Sequence, residues 1–110
     1  MKNNIDVRGL FYKCNLMRSV DLSEFDFSNI TDTANMFTGC TSLTDLKFGK
    51  NLRVSLDLSD CPLTHESVLS VIDGLAEVDE QQTLSLNYET YVTLTDEGIK
   101  IIKNKNWKIK

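Results

Sequence analysis

The chain has a single histidine, a single proline and no apolar run long enough to cross a bilayer. With only His65, and no serine or cysteine in a recognisable activating setting, it lacks the convergent titratable groups that catalysis requires, so no catalytic residue is assigned and no enzyme is expected. His65 stands beside Glu66 in the first turn of an expected helix and reads as a solvated surface residue. Gly9, Gly39, Gly49, Gly74 and Gly98 are scattered singly, which excludes a glycine-rich phosphate loop and leaves no cofactor site. Cys14, Cys40 and Cys61 include no C-x-x-C pair, so a structural zinc site is not expected. The acidic run Glu77, Asp79, Glu80 lacks the spaced oxygen ligands and glycine of a calcium loop, and no metal is assigned.

Basic residues are also scarce, 12 Lys and Arg against 16 Asp and Glu, for a formal charge of -4. The deficit is uneven: Lys100, Lys103, Lys105, Lys108 and Lys110 follow the last acid, Glu97, so everything before them is distinctly acidic. An acidic body repels phosphate, and a nucleic-acid partner is not expected. The lysines suit the last turns of a terminal helix, whose dipole they oppose. Met1 to Asn4 lead into Ile5, Asp6, Val7 and Arg8 rather than an apolar signal core. The chain as given is therefore expected to carry no export signal, as in a cytoplasmic protein or a piece of a longer exported one.

What is present is repetition. Phe11, Cys14, Met17, Val20 and Leu22 are matched, twenty-six residues later, by Phe37, Cys40, Leu43, Leu46 and Phe48. Spacings of three, three, three and two suit a chain that turns through an irregular segment and enters a short strand, the expected coil of a solenoid. The first strand is expected at Ser19 to Leu22, with Val20 and Leu22 inward. Phe25, Phe27 and Ile30 then form a return held by Asp26, Ser28, Asn29 and Thr31. Cys14 and Cys40, at equivalent positions, should be buried, reduced and one coil apart, the odd cysteine count disfavouring a disulfide. Residues 1–9 offer Ile5 and Val7 as their only apolar anchors and read as a loose lead-in.

The run Ser19-Val20-Asp21-Leu22-Ser23-Glu24-Phe25-Asp26-Phe27-Ser28-Asn29-Ile30-Thr31-Asp32, followed by Met36-Phe37-Thr38-Gly39-Cys40-Thr41-Ser42-Leu43-Thr44, resembles the BspA-like leucine-rich repeats of bacterial surface proteins and lipoproteins. The resemblance covers residues 10–60, with Phe27 where that family usually has Thr and Thr33 where it usually has Met. It implies adhesion or host contact at a cell surface, or in a secreted protein.

Beyond residue 60 strands should alternate with helices. Leu56 and Leu58 make a short strand, and Pro62 prevents it from running on. Thr64 caps a helix to about Ala76, with Val68, Ile72, Leu75 and Ala76 as its buried stripe. Thr83 to Leu86 form the next strand, and Thr95 caps a helix that buries Ile99 and Ile102 before Trp107 and Ile109 supply a last strand. Leu94 to Trp107 is similar to a segment that often closes such arrays, and so reads as a cap. One interval resists this scheme. Leu46 to Leu56 is only ten residues, so the chain either folds back on the preceding strand or abbreviates the coil.

The expected fold is thus α/β, a short leucine-rich-repeat solenoid in one domain spanning 10–110, with irregular coils first, then two strand-helix units and a terminal strand. Its stacked strands would present Asp21, Lys47, Asp57, Ser85 and Lys108 as a candidate binding face, with Tyr88 and Tyr91 at the edge either completing the core or making contacts. The expected function is a non-enzymatic module recognising a protein or glycan partner, without membrane insertion. The alternative is a purely structural cap or spacer of a longer array, of phage or surface-appendage origin. Phe11 and Tyr12 lie towards an under-covered N-terminal end, where two copies could pair as a homodimer.

Overall fold

The tripeptide Asp-Leu-Ser occurs at 21–23 and 57–59, and the computed structural model, which describes residues 6–110, folds both in one way. In each, the aspartate Oδ1 accepts the serine backbone N–H at 2.9 Å and its hydroxyl at 2.6 Å. The short side chain thereby closes a turn that ends a strand. The strands are β1 (Ser19–Asp21), β2 (Asp45–Lys47), β3 (Leu56–Leu58), β4 (Gln82–Leu86) and β5 (Trp107–Ile109). The helices are α1 (His65–Gly74), α2 (Tyr88–Tyr91) and α3 (Asp96–Asn104). None is long and apolar enough to cross a membrane.

The strands belong to two separate sheets. β1 pairs with β2 in parallel, Val20 opposite Leu46, while β3, β4 and β5 form a second parallel sheet with Leu56 opposite Leu84 and Leu84 opposite Ile109. The expectation of a leucine-rich-repeat solenoid with one continuous stack of strands is therefore corrected. Among the described residues the protein is a small α/β fold with two short parallel sheets and three helices. The ten-residue interval explains the difference: Leu46 and Leu56 are not successive strands of one sheet. Between them the chain makes single bridges from Lys50 to Asp26 and from Leu52 to Leu75, and then enters the other sheet.

Helix α1 ends the first sheet after two strands. The Ser67 hydroxyl accepts the Leu46 N–H at 2.9 Å and donates to the Thr44 carbonyl at 2.9 Å, and the Ser70 hydroxyl accepts the Phe48 N–H at 2.8 Å. Serine side chains thus take up edge groups that a third strand would otherwise satisfy. Thr64 caps α1 through the Ser67 N–H, and Leu75 and Ala76 lie just beyond the helix rather than in its stripe, which Val68, Val71 and Ile72 supply. The close crossing needs glycine. A Cβ on Gly74 would meet the Gly49 carbonyl and stand 2.7 Å from Phe48 Cδ2, and one on Gly49 would collide with the Phe25 backbone.

The C-terminal segment locks this helix from the other side. Lys105 Nζ donates to the carbonyls of Ile72 at 2.9 Å and Leu75 at 2.8 Å, placing a cation on the negative end of α1, which has no basic residue in its own last turn. Trp107 is buried, with Nε1 donating to the Ala76 carbonyl at 2.8 Å. Thr95 caps α3, as its sequence suggests, and the helix buries Gly98 and Ile102, with Ile99 half-buried.

The N-terminal reading also changes. Val7 is fully buried and the Gly9 N–H donates to the Ala34 carbonyl at 2.9 Å, so the described part of the lead-in, 6–9, is fastened to the body. Residues 1–5, which include Ile5, lie outside the described residues. Cys40 is buried, but Cys14 is only half-buried; both are free thiols, and Cys40 Sγ donates to the Phe11 carbonyl at 3.1 Å.

Candidate functional site: a hydroxyl-lined groove

An open groove of about 420 Å³ runs between the segment 31–38 and the exposed face of the second sheet. One wall holds Asp32, Asn35 and Thr38; the other holds Asp57, Thr83 and Ser85. One hydrogen bond joins the walls, and three more tie the second wall together. Thr33, buried, donates its hydroxyl to the Ser55 carbonyl at 2.7 Å. The Ser55 N–H and hydroxyl both donate to Gln82 Oε1, at 2.9 and 3.0 Å, and the Ser55 hydroxyl accepts the Thr83 N–H at 2.9 Å. Ser55 therefore rivets the chain just before β3 to β4 beneath the groove.

Parallel register aligns the second wall. Asp57 lies opposite Ser85 and Thr83 opposite Lys108, and residues two apart on a strand share a face, so all four stand together on the exposed side of the sheet. On the first wall the chain turns at Asn35, whose φ of 58° is left-handed, a conformation asparagine tolerates better than most residues. Asp32 Oδ1 accepts the Ala34 N–H at 2.9 Å, and the Thr38 hydroxyl donates to Asn35 Oδ1 at 3.2 Å.

These bonds leave a defined set of groups uncommitted among the described residues. They are the second oxygens of Asp32 and Asp57, the Asn35 amide nitrogen, and the hydroxyls of Thr31, Thr83 and Ser85. The lining contains no Lys, Arg, His or Cys. Nearby, Arg8 is held by Asp6 at 2.8 Å and also feels the charge of Asp32, and both carboxylates raise its pKa. The groove is thus rich in acceptors and neutral donors. It can hold hydroxyl, amide or amine groups and disfavours anions.

The residues expected to form one face are divided. Asp57, Ser85 and Lys108 come together on the second sheet, the first two in the groove. Asp21 and Lys47 are register partners on the first sheet. There the hydrogen bonds from Ser23 hold the Asp21 carboxyl below its usual pKa, with a smaller contribution from Lys47. Tyr88 and Tyr91 sit on α2, exposed by 75% and 41%, so neither completes the core; Thr90 fills that role, its hydroxyl donating to the Leu63 carbonyl at 2.9 Å. His65 is half-buried rather than solvated, with Nδ1 buried and unbonded. Among the described residues no three His, Cys, Asp or Glu side chains converge as a metal site would require.

Sequence reasoning did not single out Thr31 to Thr38, which line one wall of the groove. The available signal was a run of Thr, Asp and Asn broken by few apolar residues, of which only Thr31 has an expected role, in a turn. Set against protein-family models, curated proteins and solved structures, the chain matches none.

Proposed function

We propose that this protein is a non-enzymatic recognition module that holds a protein or glycan segment of a partner in the groove between 31–38 and β3–β4. The carrying observation is the open volume of about 420 Å³ with unbonded hydroxyl, amide and carboxylate groups on both walls. Its size falls within the range of small-ligand clefts, and its polar groups suit the hydroxyls of a sugar or the amides of an extended chain. A lining without His, Cys or Lys offers no activated nucleophile, in keeping with binding rather than catalysis. The resemblance of residues 10–60 to BspA-like repeats, with the surface adhesion it implies, supports the same reading.

A second reading is a structural segment packed against further chain. It is favoured by the first copy of the apolar pattern, where Phe11, Cys14, Met17, Val20 and Leu22 are all only partly buried.

Screening glycan and peptide arrays, followed by NMR titration of each hit, separates the two. Shifts confined to Asp32, Asn35, Asp57 and Ser85, abolished by Ser85→Arg with an unchanged melting temperature, support the groove. Hits whose shifts lie elsewhere, or no hits from either array, overturn it.

A further inference from the structure

β1 is an edge strand, paired with β2 on one side alone among the described residues. The Arg18 carbonyl accepts the Thr44 and Asp45 N–H groups at 3.1 Å, and the Leu22 N–H donates to the Lys47 carbonyl at 2.7 Å, so the even-numbered residues turn their backbone groups towards β2. Alternation along a parallel strand then turns the N–H and C=O of Ser19 and Asp21 outward. Neither residue's backbone has a partner on that side among the described residues.

We propose that the occupant of this edge is a second copy of the chain, paired antiparallel through β1 with Val20 on the two-fold axis. Ser19 then lies opposite Asp21 of the second copy and exchanges both backbone hydrogen bonds with it, and symmetry repeats the exchange. A four-stranded sheet results, with β2 at each outer edge, and the contact closes on itself.

Charge and apolarity on this edge fit the same partner. Arg18 precedes the strand, whereas Asp21 and Glu24 end it, so the antiparallel arrangement sets the basic end of each copy against the acidic end of the other. Leu10, Tyr12 and Leu16 are exposed by 48%, 48% and 86%, in the segment that feeds β1. That concentration of exposed apolar residues marks contact surfaces. β5, an edge of the other sheet, differs: Lys108 lies within it and Lys110 follows it, both exposed, and edge lysines repel a second copy.

Analytical ultracentrifugation over a concentration series, with charge-reversal variants, tests the pairing. The wild-type protein is expected to dimerise reversibly. Arg18→Glu and Glu24→Arg, both at exposed positions, should each weaken self-association by about tenfold or more, since each places like charges together at both ends of the pair. An equimolar mixture of the two variants should recover a heterodimer, because both ends then carry opposite charges. Ser19→Pro, which removes an outward N–H from an edge position that tolerates proline, should give a folded monomer. A wild-type protein monomeric at millimolar concentration overturns the proposal, as does a dimer indifferent to Ser19→Pro or a mixture that fails to associate.

Discussion

The two copies of the apolar pattern differ in burial at every matched position. Phe37, Cys40, Leu43, Leu46 and Phe48 are buried, whereas Phe11, Cys14, Met17, Val20 and Leu22 are all half-buried. The local sequence is equivalent, so neighbours make the difference. The second copy has the first on one side, with Phe11 stacked on Phe37 at 5.5 Å, and α1 with the Cys61 to Leu63 segment on the other. The first copy has a body on one side only. Burial is thus a property of position in the molecule, and the stability drawn from matched residues should differ accordingly.

The matched phenylalanines give the strongest test. Phe37→Ala should cost about 3–5 kcal/mol, as a fully enclosed ring leaves a cavity, while Phe11→Ala should cost roughly half as much because solvent can fill its place. Urea denaturation of the two variants measures this directly. Equal losses would show that the first copy is covered in solution by something other than the described chain.

A smaller effect tests why the second copy is enclosed. Ser67→Ala leaves the buried Leu46 N–H without a partner and the Thr44 carbonyl with only the Thr64 N–H, and should cost about 1–3 kcal/mol. Ser23→Ala, which removes an exposed turn hydroxyl just after the first copy, should cost less than about 1 kcal/mol. Thermal melts of the pair would show whether the α1 hydroxyls support the edge of β2.

Thiol chemistry compares the copies without altering stability. Burial raises the pKa of Cys40 and pushes that of Cys61 up to about 12, so both thiols are inert as well as enclosed. Alkylation in native buffer should therefore modify Cys14 first, with Cys61 reacting only on unfolding. Mass spectrometry over time gives the order. Rapid labelling of Cys40 would place the second copy at the surface.

The smallest expected effect is with acid. Arg8 holds the Asp6 carboxyl down to about 2, and hydrogen bonds from Ser23 and Ser28 lower the pKa values of Asp21 and Asp26. A carboxyl whose folded pKa is depressed adds stability above its unfolded value, near 4, and loses it as pH falls through the folded value. All three groups are fully exposed, so the loss is slight, and it falls on turns of the first half between about pH 4 and 2. Carboxyl NMR titration checks it: Asp6 midway near its ordinary value of 3.8 would mean that the Arg8 contact does not persist in solution.

The amino-acid sequence alone determined what depends on near neighbours. The caps at Thr64 and Thr95 and the turns that end β1 and β3 rest on hydrogen bonds between residues two or three apart, and the twenty-six-residue repeat is written in the chain order, although its realisation as the pairing of Val20 with Leu46 is a tertiary contact. The tertiary structure decided what depends on which group arrives at an edge. Strand patterns at Leu46 and Leu56 look alike, yet one edge is met by the hydroxyls of Ser67 and Ser70 and the other by β4, and the strands therefore part into two sheets. Lys105 reaching back to α1, and the groove between 31–38 and β3–β4, are equally invisible in the chain order. Each joins residues more than twenty positions apart, through contacts that exist only once packing has brought them together.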